Sequence, residues 1–434
     1  MRILLIADSP LNNIVDGNNV IQNWFEGMQD IEMAQIALFP GKPYNNLINK
    51  YFLVTDSMMV KSIIGKRAGY PFEMSFEEME SLSSHQSVVK TSKVYSTFKK
   101  LSTKAIFGEI IRNTRELIWS IGRYDTDALA KFISDFNPDI VFSPRYFSRK
   151  QARVEKIVST LTKAPIIAFS GDDEISFRQY SFSPLYWINR FFINRKFHKH
   201  KKLYSHYITN SELQRSEYVK KYGLNASVLY KCGDFSKKNE RKKVNSPIRM
   251  IYAGNLYCNR WKTLGYIGKA LNEINKDGEK IILEVYSGDR PTSQMRKVLS
   301  EENSIYFKGR VTPEELTFIY KKADIALHVE SFDKANKLRT RLSFSTKIVD
   351  LMTTGCAIMA IAWEEHAALK YLKDNDAAIC IASKEFILPT LSNLVNNPDI
   401  IAEYGIKAFE IGQRNHEKTK TQNFIRDLFQ SSIS

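Results

Sequence analysis

Cysteine is scarce in this sequence: Cys232, Cys258, Cys356 and Cys380 are the only four in 434 residues. No two stand close enough to form a metal knuckle or a redox pair, and isolated thiols in a chain this long fit a reduced cytosol. There are seven histidines. His198 and His200 are two apart, a spacing that does not share one helical face, so a metal role there is not expected. The sequence has no run of about 18 apolar residues, and no membrane-spanning helix is expected. The opening Met1-Arg2-Ile3-Leu4-Leu5-Ile6-Ala7-Asp8 is too soon interrupted for a signal peptide and reads as a buried first strand. Neither domain's first strand leads into G-x-G-x-x-G, which disfavours an NAD-dependent dehydrogenase. Repeats with a period of 20 to 50 residues and low-complexity tracts are also lacking.

Positive charge is abundant. The net charge is +16, with 43% hydrophobic and 25% charged residues. Those fractions suit a globular protein, and the charge calls for a polyanionic partner: nucleic acid, an anionic membrane or a phosphorylated substrate. Residues 175 to 211 hold Arg178, Arg190, Arg195, Lys196, Lys199, Lys201 and Lys202 without one Asp or Glu, interleaved with Phe182, Tyr186, Trp187, Phe191, Phe192 and Phe197. Residues 81 to 108 add five lysines and no acid. Basic stretches with interleaved aromatics read as membrane-surface elements. The same stretch also reads as an aromatic core helix with a solvated basic face. No helix-turn-helix, zinc-finger or RNA-binding signature accompanies them, so nucleic acid is not the expected partner.

Short apolar runs alternate with helical patterns along the chain, which argues for α/β architecture with two doubly wound, Rossmann-like domains and a cleft between them. Strands are expected at Arg2–Ala7, Met33–Phe39, Asp139–Ser143, Pro165–Ser170 and His206–Thr209, then at 248–254, 280–287, 304–308, 324–329, 357–361 and 378–381. The charged stretch 235–247, closed by a proline, reads as a linker. This gives one domain over 1–240 and a second over 248–414, with a last helix over 415–434 packing back toward the first. Thr312-Pro313-Glu314-Glu315 has the pattern of a capping box.

In an open parallel sheet, ligands bind beyond the carboxyl ends of the strands. The segment 341–355, RLSFSTKIVDLMTTG, sits at such an end. Ser343 or Ser345 can cap the helix that begins there, Lys347 places a cation in its first turn, and Asp350 follows one turn later. A cation for a diphosphate beside a carboxylate for ribose hydroxyls makes a nucleotide site; the same residues would also make an ordinary capped helix with Lys and Asp solvated. Asp172-Asp173-Glu174, after another strand, could orient an acceptor, serve as a general base, bind a metal or simply complement a helix dipole.

The order Ser345, Thr346, Lys347, Asp350, Gly355 resembles the nucleotide-sugar motif of retaining GT-B glycosyltransferases, family 4 and its relatives, where the carboxylate is usually Glu. Tyr252-Ala253-Gly254-Asn255-Leu256, followed by Lys262, is similar to the first strand and loop of that family's nucleotide domain. Asn255 stands where Arg is frequent, leaving Arg260 or Lys262 to supply the charge. Phe307-Lys308-Gly309-Arg310-Val311 resembles the turn that contacts the base, and Gly17-Asn18 the turn that approaches the donor phosphates. Ile208-Thr209-Asn210-Ser211, Tyr222-Gly223 and Cys232-Gly233-Asp234 resemble the last strand–helix–strand unit of the N-terminal domain.

The chain departs from the family in two places. The family places a sugar-holding Glu where Leu342 stands, and Glu330, ending a strand, is the candidate replacement. A frequent His is replaced by Asp172-Asp173-Glu174. The resemblance implies a retaining transferase that uses a UDP- or GDP-linked sugar, with no cofactor and no metal. Its acceptor would be a saccharide or an undecaprenyl diphosphate-linked lipid, in capsule, exopolysaccharide or O-antigen synthesis. The protein would lie on the inner face of the cytoplasmic membrane, attached through residues 175–204. Lys347, Lys262, Asp172, Asp173 and Glu330 are the catalytic candidates. Gly17, Asn18, Gly254, Asn255, Arg260, Arg310, Ser343, Ser345, Thr346 and Asp350 are the donor-binding ones. Leu342 also motivates an alternative, a catalytically silent scaffold of the same fold.

Overall fold

The computed structural model describes residues 1–13, 20–84, 105–144, 147–236 and 243–433. Gly17, Asn18 and most of the lysine-rich stretch 81–108 lie outside them. The chain divides into two compact units, one of Met1–Leu229 with Gln422–Ser434, the other of Tyr230–Thr421.

The first unit is built on β1 (Arg2–Ala7), β2 (Glu32–Ala37), β3 (Ile48–Leu53), β4 (Tyr70–Glu73), β5 (Ile140–Pro144), β6 (Ile166–Ser170), β7 (Tyr204–Thr209) and β8 (Ala226–Val228). They form one sheet in the order β4-β3-β2-β1-β5-β6-β7-β8. Neighbours are parallel except β4, which runs antiparallel to β3 at the edge. Pro71 in β4 fits that edge position, since proline cannot donate to a ladder. The sequence reading did not include β3, β4 or β8.

The end of the chain closes this unit. In the helix Lys418–Ile433, Phe429 is fully buried against Phe25 and Phe142, with ring centroids 6.1 and 5.6 Å away. Arg426 forms a two-armed ion pair with Asp30, both bonds 2.8–2.9 Å. That pairing holds the Asp30 carboxyl down at about 2.

The second unit is built on β9 (Ile248–Ala253), β10 (Ile281–Tyr286), β11 (Ile305–Gly309), β12 (Ile325–Val329), β13 (Ala357–Ile361) and β14 (Ile379–Ile381). All are parallel, in the order β11-β10-β9-β12-β13-β14. The strand order reverses between β9 and β12, so the crevice above their carboxyl ends is the expected ligand position in this sheet. Side chains alternate between two cores, as the two-residue period of a strand requires. Met250, Tyr252, Leu327 and Val329 face the helices Arg260–Ile274 and Ile387–Asn396. Ile251 and Ala326 face the opposite core, with Ile348 and Val349 of the helix Lys347–Met352. The helix Pro313–Lys321 begins with the capping box read from the sequence.

The charged stretch 235–247 does not start as a linker. Phe235 is buried against Phe409, 5.4 Å between centroids, and Tyr230 packs on Phe344 at 4.7 Å. Residues 230–236, including Cys232-Gly233-Asp234, therefore belong to the second unit rather than the first. The apolar side chains decide this locally, since burying one aromatic contributes roughly 1.5–3 kcal/mol.

Candidate functional site

Above the β9–β12 junction the backbone of β9 ends at Ala253 and turns. Gly254 donates its N–H to Tyr286 O at 2.9 Å. The buried Tyr252 hydroxyl donates to Asn255 O at 2.6 Å, and Leu256 N–H donates to Asp289 Oδ2 at 2.6 Å. Cys258 and Asn259 follow in the left-handed region, φ +56° and +59°. They tip the chain into the helix Arg260–Ile274.

Lys347 reaches this turn from the other side. It opens the short helix Lys347–Met352, and its Nζ donates to Ala253 O at 3.1 Å. A Cβ at Gly254 would run into that ammonium group, so a larger residue there would push the lysine head away from its present position. Neither Ser343 nor Ser345 caps the helix: Thr346 is the N-cap, in helical conformation, with no side-chain cap bond. The hydrogen-bond partner of Lys347 is a carbonyl and not a carboxylate. Its side chain is exposed to solvent in part, yet desolvation and then the Arg260 charge draw its pKa below the ordinary lysine value.

Arg260 and Glu330 lie beside it. Arg260 Nη2 is 2.6 Å from Glu330 Oε1, and Nε is 3.2 Å from both carboxylate oxygens. Glu330 is 2% exposed and is not a loop-surface residue; its backbone carbonyl accepts from Thr263 Oγ1 at 2.7 Å. Burial opposes the Arg260 charge, but Glu330 more than offsets it, and the guanidinium titrates above its usual value.

The loop after Glu330 is not irregular throughout. It contains the helix Lys334–Thr340, capped by Asp333 onto Asn336 N at 3.1 Å. Leu342, at the position of the family's sugar-holding carboxylate, is fully buried.

The remaining donor candidates spread around this centre. Asp350 is exposed and paired with Lys231, Nζ to Oδ1 2.5 Å. Asn255 and Arg310 are exposed, and Arg310 follows Gly309, whose φ is +78°. Lys262 is not grouped with Lys347. Two residues after Arg260, it points the other way around the helix and lines a separate cavity with Lys337 and Lys384. Of the two cations the sequence offered, Arg260 is the one whose charge acts on Lys347.

Sequence reasoning passed over His328, His366 and Lys231. His328 lies in β12 on the face toward Lys347, buried, with Nε2 unpartnered. Burial first, then the charges of His366, Arg260 and Lys347, hold it neutral, with a pKa well below the usual imidazole value. Its ring centroid is 6.0 Å from that of His366. The available signal was register: His328 precedes Glu330 by two residues, the spacing that returns a strand to one face.

In the first unit Asp172, Asp173 and Glu174 follow β6. Asp173 accepts from Ser176 N at 3.1 Å and Ser176 Oγ at 2.5 Å, which makes its carboxylate part of a local turn. Glu174 accepts from Phe147 N at 2.6 Å and from Ser170 Oγ at 3.0 Å. Burial, aided by the Asp172 charge and against the pull of the Phe147 N–H, raises its carboxyl well above the ordinary range. Among the described residues no group of three or more His, Cys, Asp or Glu is arranged to hold a metal ion.

The basic stretch forms the helix Pro184–His200, started by Ser183. Its charges divide by role. Arg190 donates to the carbonyls of Asp173, Glu174 and Ser176, Lys196 to Arg149 O, and Lys201 to Tyr222 O. Arg178 pairs with Glu217 at 3.1 Å. Arg195, Lys199 and Lys202 remain exposed. Phe182 is 88% exposed, and Phe191 and Phe192 are half exposed, whereas Trp187 is partly covered and donates to Ser181 O at 2.9 Å. Among the described residues no helix is long and apolar enough to cross a membrane.

No family model matches the chain. An uncharacterized glycosyltransferase of Methanocaldococcus jannaschii, MJ1069, is 27% identical over 200 residues, 45% of this chain and 48% of that protein. The chain thus spans about half the length of the curated relative it matches. Among solved structures, Anabaena HepE in complex with UDP and glucose aligns over 99% of this chain and 100% of its own, with TM-score 0.59 and 11% identity. WaaG, a glycosyltransferase involved in lipopolysaccharide biosynthesis, aligns over 98% and 99%, with TM-score 0.56 and 9% identity. The two-domain α/β architecture with its parallel sheets is accordingly the GT-B fold that HepE and WaaG share.

Proposed function

We propose that the chain is a glycosyltransferase that moves a sugar from a UDP-linked donor onto an acceptor held by the first unit. The observation that carries the proposal is Lys347, a cation bonded among the described residues to a carbonyl in the crevice at the β9–β12 junction, with Arg260 beside it. In the reaction the bond between the anomeric carbon and the β-phosphate oxygen breaks, a new bond forms to the acceptor oxygen, and the acceptor loses a proton. Charge develops on the departing diphosphate. Lys347, with Arg260 supporting, is suited to stabilise it, because a preorganised cation acts where the charge appears. Asp350 is suited to accept from ribose hydroxyls, Asn255, Gly254 and Arg310 line the approach, and the buried neutral His328 offers Nε2 to a donor hydroxyl. Asp172, partly exposed after β6, is the group we assign to the acceptor side.

We further propose that transfer proceeds with retention and without metal, and that the acceptor is a lipid-linked or saccharide intermediate of capsule, exopolysaccharide or O-antigen synthesis. The likeness in fold to WaaG, a glycosyltransferase involved in lipopolysaccharide biosynthesis, supports this reading. Exposed Arg195, Lys199 and Lys202 with Phe182, Phe191 and Phe192 support attachment to an anionic membrane face. The buried Leu342 supports a second reading, a donor-binding protein without transferase activity.

The test is titration with UDP and GDP alongside UDP release from a panel of UDP-sugars, with and without EDTA. Binding with turnover that EDTA leaves intact is expected. Binding without turnover would favour the second reading, and neither would end both.

A further inference from the structure

A cavity of about 390 Å³ opens in the second unit, with none of Lys347, Arg260 and Asp350 in its lining. It lies above the ends of β12 and β14, between the start of the helix Arg260–Ile274 and the residues that follow β14. Its lining includes Lys262, Tyr266, Phe332, Lys337 and Lys384. The volume falls within the roughly 300–1,000 Å³ typical of small-molecule sites.

The lysines are held in a particular way. Lys384 Nζ stands 5.5 Å from the Tyr266 ring centroid, Lys337 Nζ 5.6 Å from that of Phe332 and 5.9 Å from that of Trp363, and Lys262 Nζ 5.6 Å from that of Trp261. Aromatic faces fix an ammonium group without neutralising it. Two carboxylates also line the cavity, but both are turned to other partners. Asp333 accepts from Ser331, Asn336 and Asn259, and Glu385 accepts from Ser383. Asp333 and Glu385 are therefore not ion-paired with any of the three lysines. Three ammonium groups and two carboxylates line the concavity, so positive charge is in excess, and no ion pair joins the lysines to Asp333 or Glu385. Such an arrangement leaves the lysines available to an anion, and the aromatic walls give it an apolar surface to lie against.

We propose that this cavity binds a small soluble phosphorylated ligand, recognised by its phosphate or diphosphate group, at a site separate from the nucleotide crevice. The proposal does not depend on the donor assignment, because none of Lys337, Lys384 or Tyr266 belongs to that crevice.

Inorganic pyrophosphate is the probe. Calorimetric titration is carried out on the full chain, alone and after saturation with UDP, for the wild type and for Lys337→Gln/Lys384→Gln. These lysines are at least partly exposed, and an unchanged melting temperature and circular dichroism spectrum would establish that the variant is folded. Wild type should bind pyrophosphate in both conditions. The variant should bind it at least about tenfold more weakly, two charge-assisted contacts having been lost, with UDP affinity within about twofold of wild type. The proposal is overturned if pyrophosphate does not bind once UDP is present, if the variant binds it as wild type does, or if the variant loses UDP instead. Should wild type fail to bind UDP, the donor assignment fails. The comparison of pyrophosphate binding between wild type and variant then still decides this one.

Discussion

Arg260 and Glu330 meet as a nearly buried two-armed ion pair at the point where the strand order of the second sheet reverses. The pair ties the first residue of the helix after β9 to the first residue beyond β12, and so fixes the floor on which Lys347 rests. Removing one partner leaves the other charge buried and unpaired, which typically costs about 3–5 kcal/mol. Glu330→Leu should therefore lower the melting temperature of the second unit by about 10 °C, at the few degrees per kcal/mol usual for a unit of this size. Glu330→Gln, which keeps hydrogen bonding, should lose less. Scanning calorimetry would read both, and an unchanged midpoint for Glu330→Leu would mean that water already reaches the pair.

Lys347→Ala should leave the fold intact, since the ammonium reaches solvent and its bond to Ala253 is to a carbonyl. Turnover at saturating donor should fall about 100- to 1,000-fold, the usual loss for one preorganised charge-stabilising group. Unchanged turnover would remove Lys347 from the reaction.

Asp350→Asn should raise the donor KM about tenfold with kcat nearly constant, because a carboxylate accepts from hydroxyls more strongly than an amide does. Stability should change by less than about 1 kcal/mol, since the bond to Lys231 lies at the surface. Lys231→Met separates the two roles. If it raises the KM as much as Asp350→Asn does, the ion pair and not the ribose contact is what matters.

Acid should weaken the second unit through two buried histidines. Burial, and for His366 the Arg260 charge as well, push His366 down to about 3 and His416 down to about 4, from 6.5. Between those values and pH 6.5 the unfolded chain binds protons that the folded chain refuses. Their contribution is thus complete above about pH 6.5 and is lost as pH falls toward 4, at up to about 1.4 kcal/mol per unit for each imidazole. His366→Phe, which keeps a ring against Trp363 at 4.7 Å, should flatten the slope of urea-unfolding free energy between pH 4 and 6.5. An equal slope would show that His366 is protonated in the fold.

Arg195, Lys199 and Lys202 replaced together by Gln should release the protein from anionic vesicles by more than a hundredfold, at about 1 kcal/mol per charge. Lys196 and Lys201 are left in place because their ammonium groups hold the backbone at Arg149 and Tyr222. Wild type that fails to sediment with such vesicles at low salt would end the membrane reading.

How far these features could be read from sequence depended on whether a local pattern or a direction in space carried them. The strands flanking the crevice were legible as short apolar runs within a residue or two, because a strand covered on both faces must be apolar throughout. β3 was not, since Asn49 and Lys50 interrupt it, and β4 was hidden by Pro71. Lys347 was visible by position, but the choice between Arg260 and Lys262 was not. Two residues on a helix differ by about 200° in direction, and which one faces the site follows from where the left-handed Cys258-Asn259 pair starts the helix. Phe235 was misread because the charges around it outnumber it, although one buried ring decides which unit owns the segment. His328 left no pattern, since a single imidazole in an apolar strand has no period.

The position of Phe429 has a consequence for synthesis of the protein. Phe25 and Phe142 are made before the second unit and their partner only after it. From the completion of Leu229 to the arrival of Gln422 a ribosome working at about 5–20 residues per second needs roughly 10–40 s. Through that interval the first unit carries an unfilled aromatic seat and lacks the Arg426–Asp30 clasp. Its final consolidation therefore waits until the second unit has been translated, and a ribosome stalled anywhere in the second unit would present the first one unfinished.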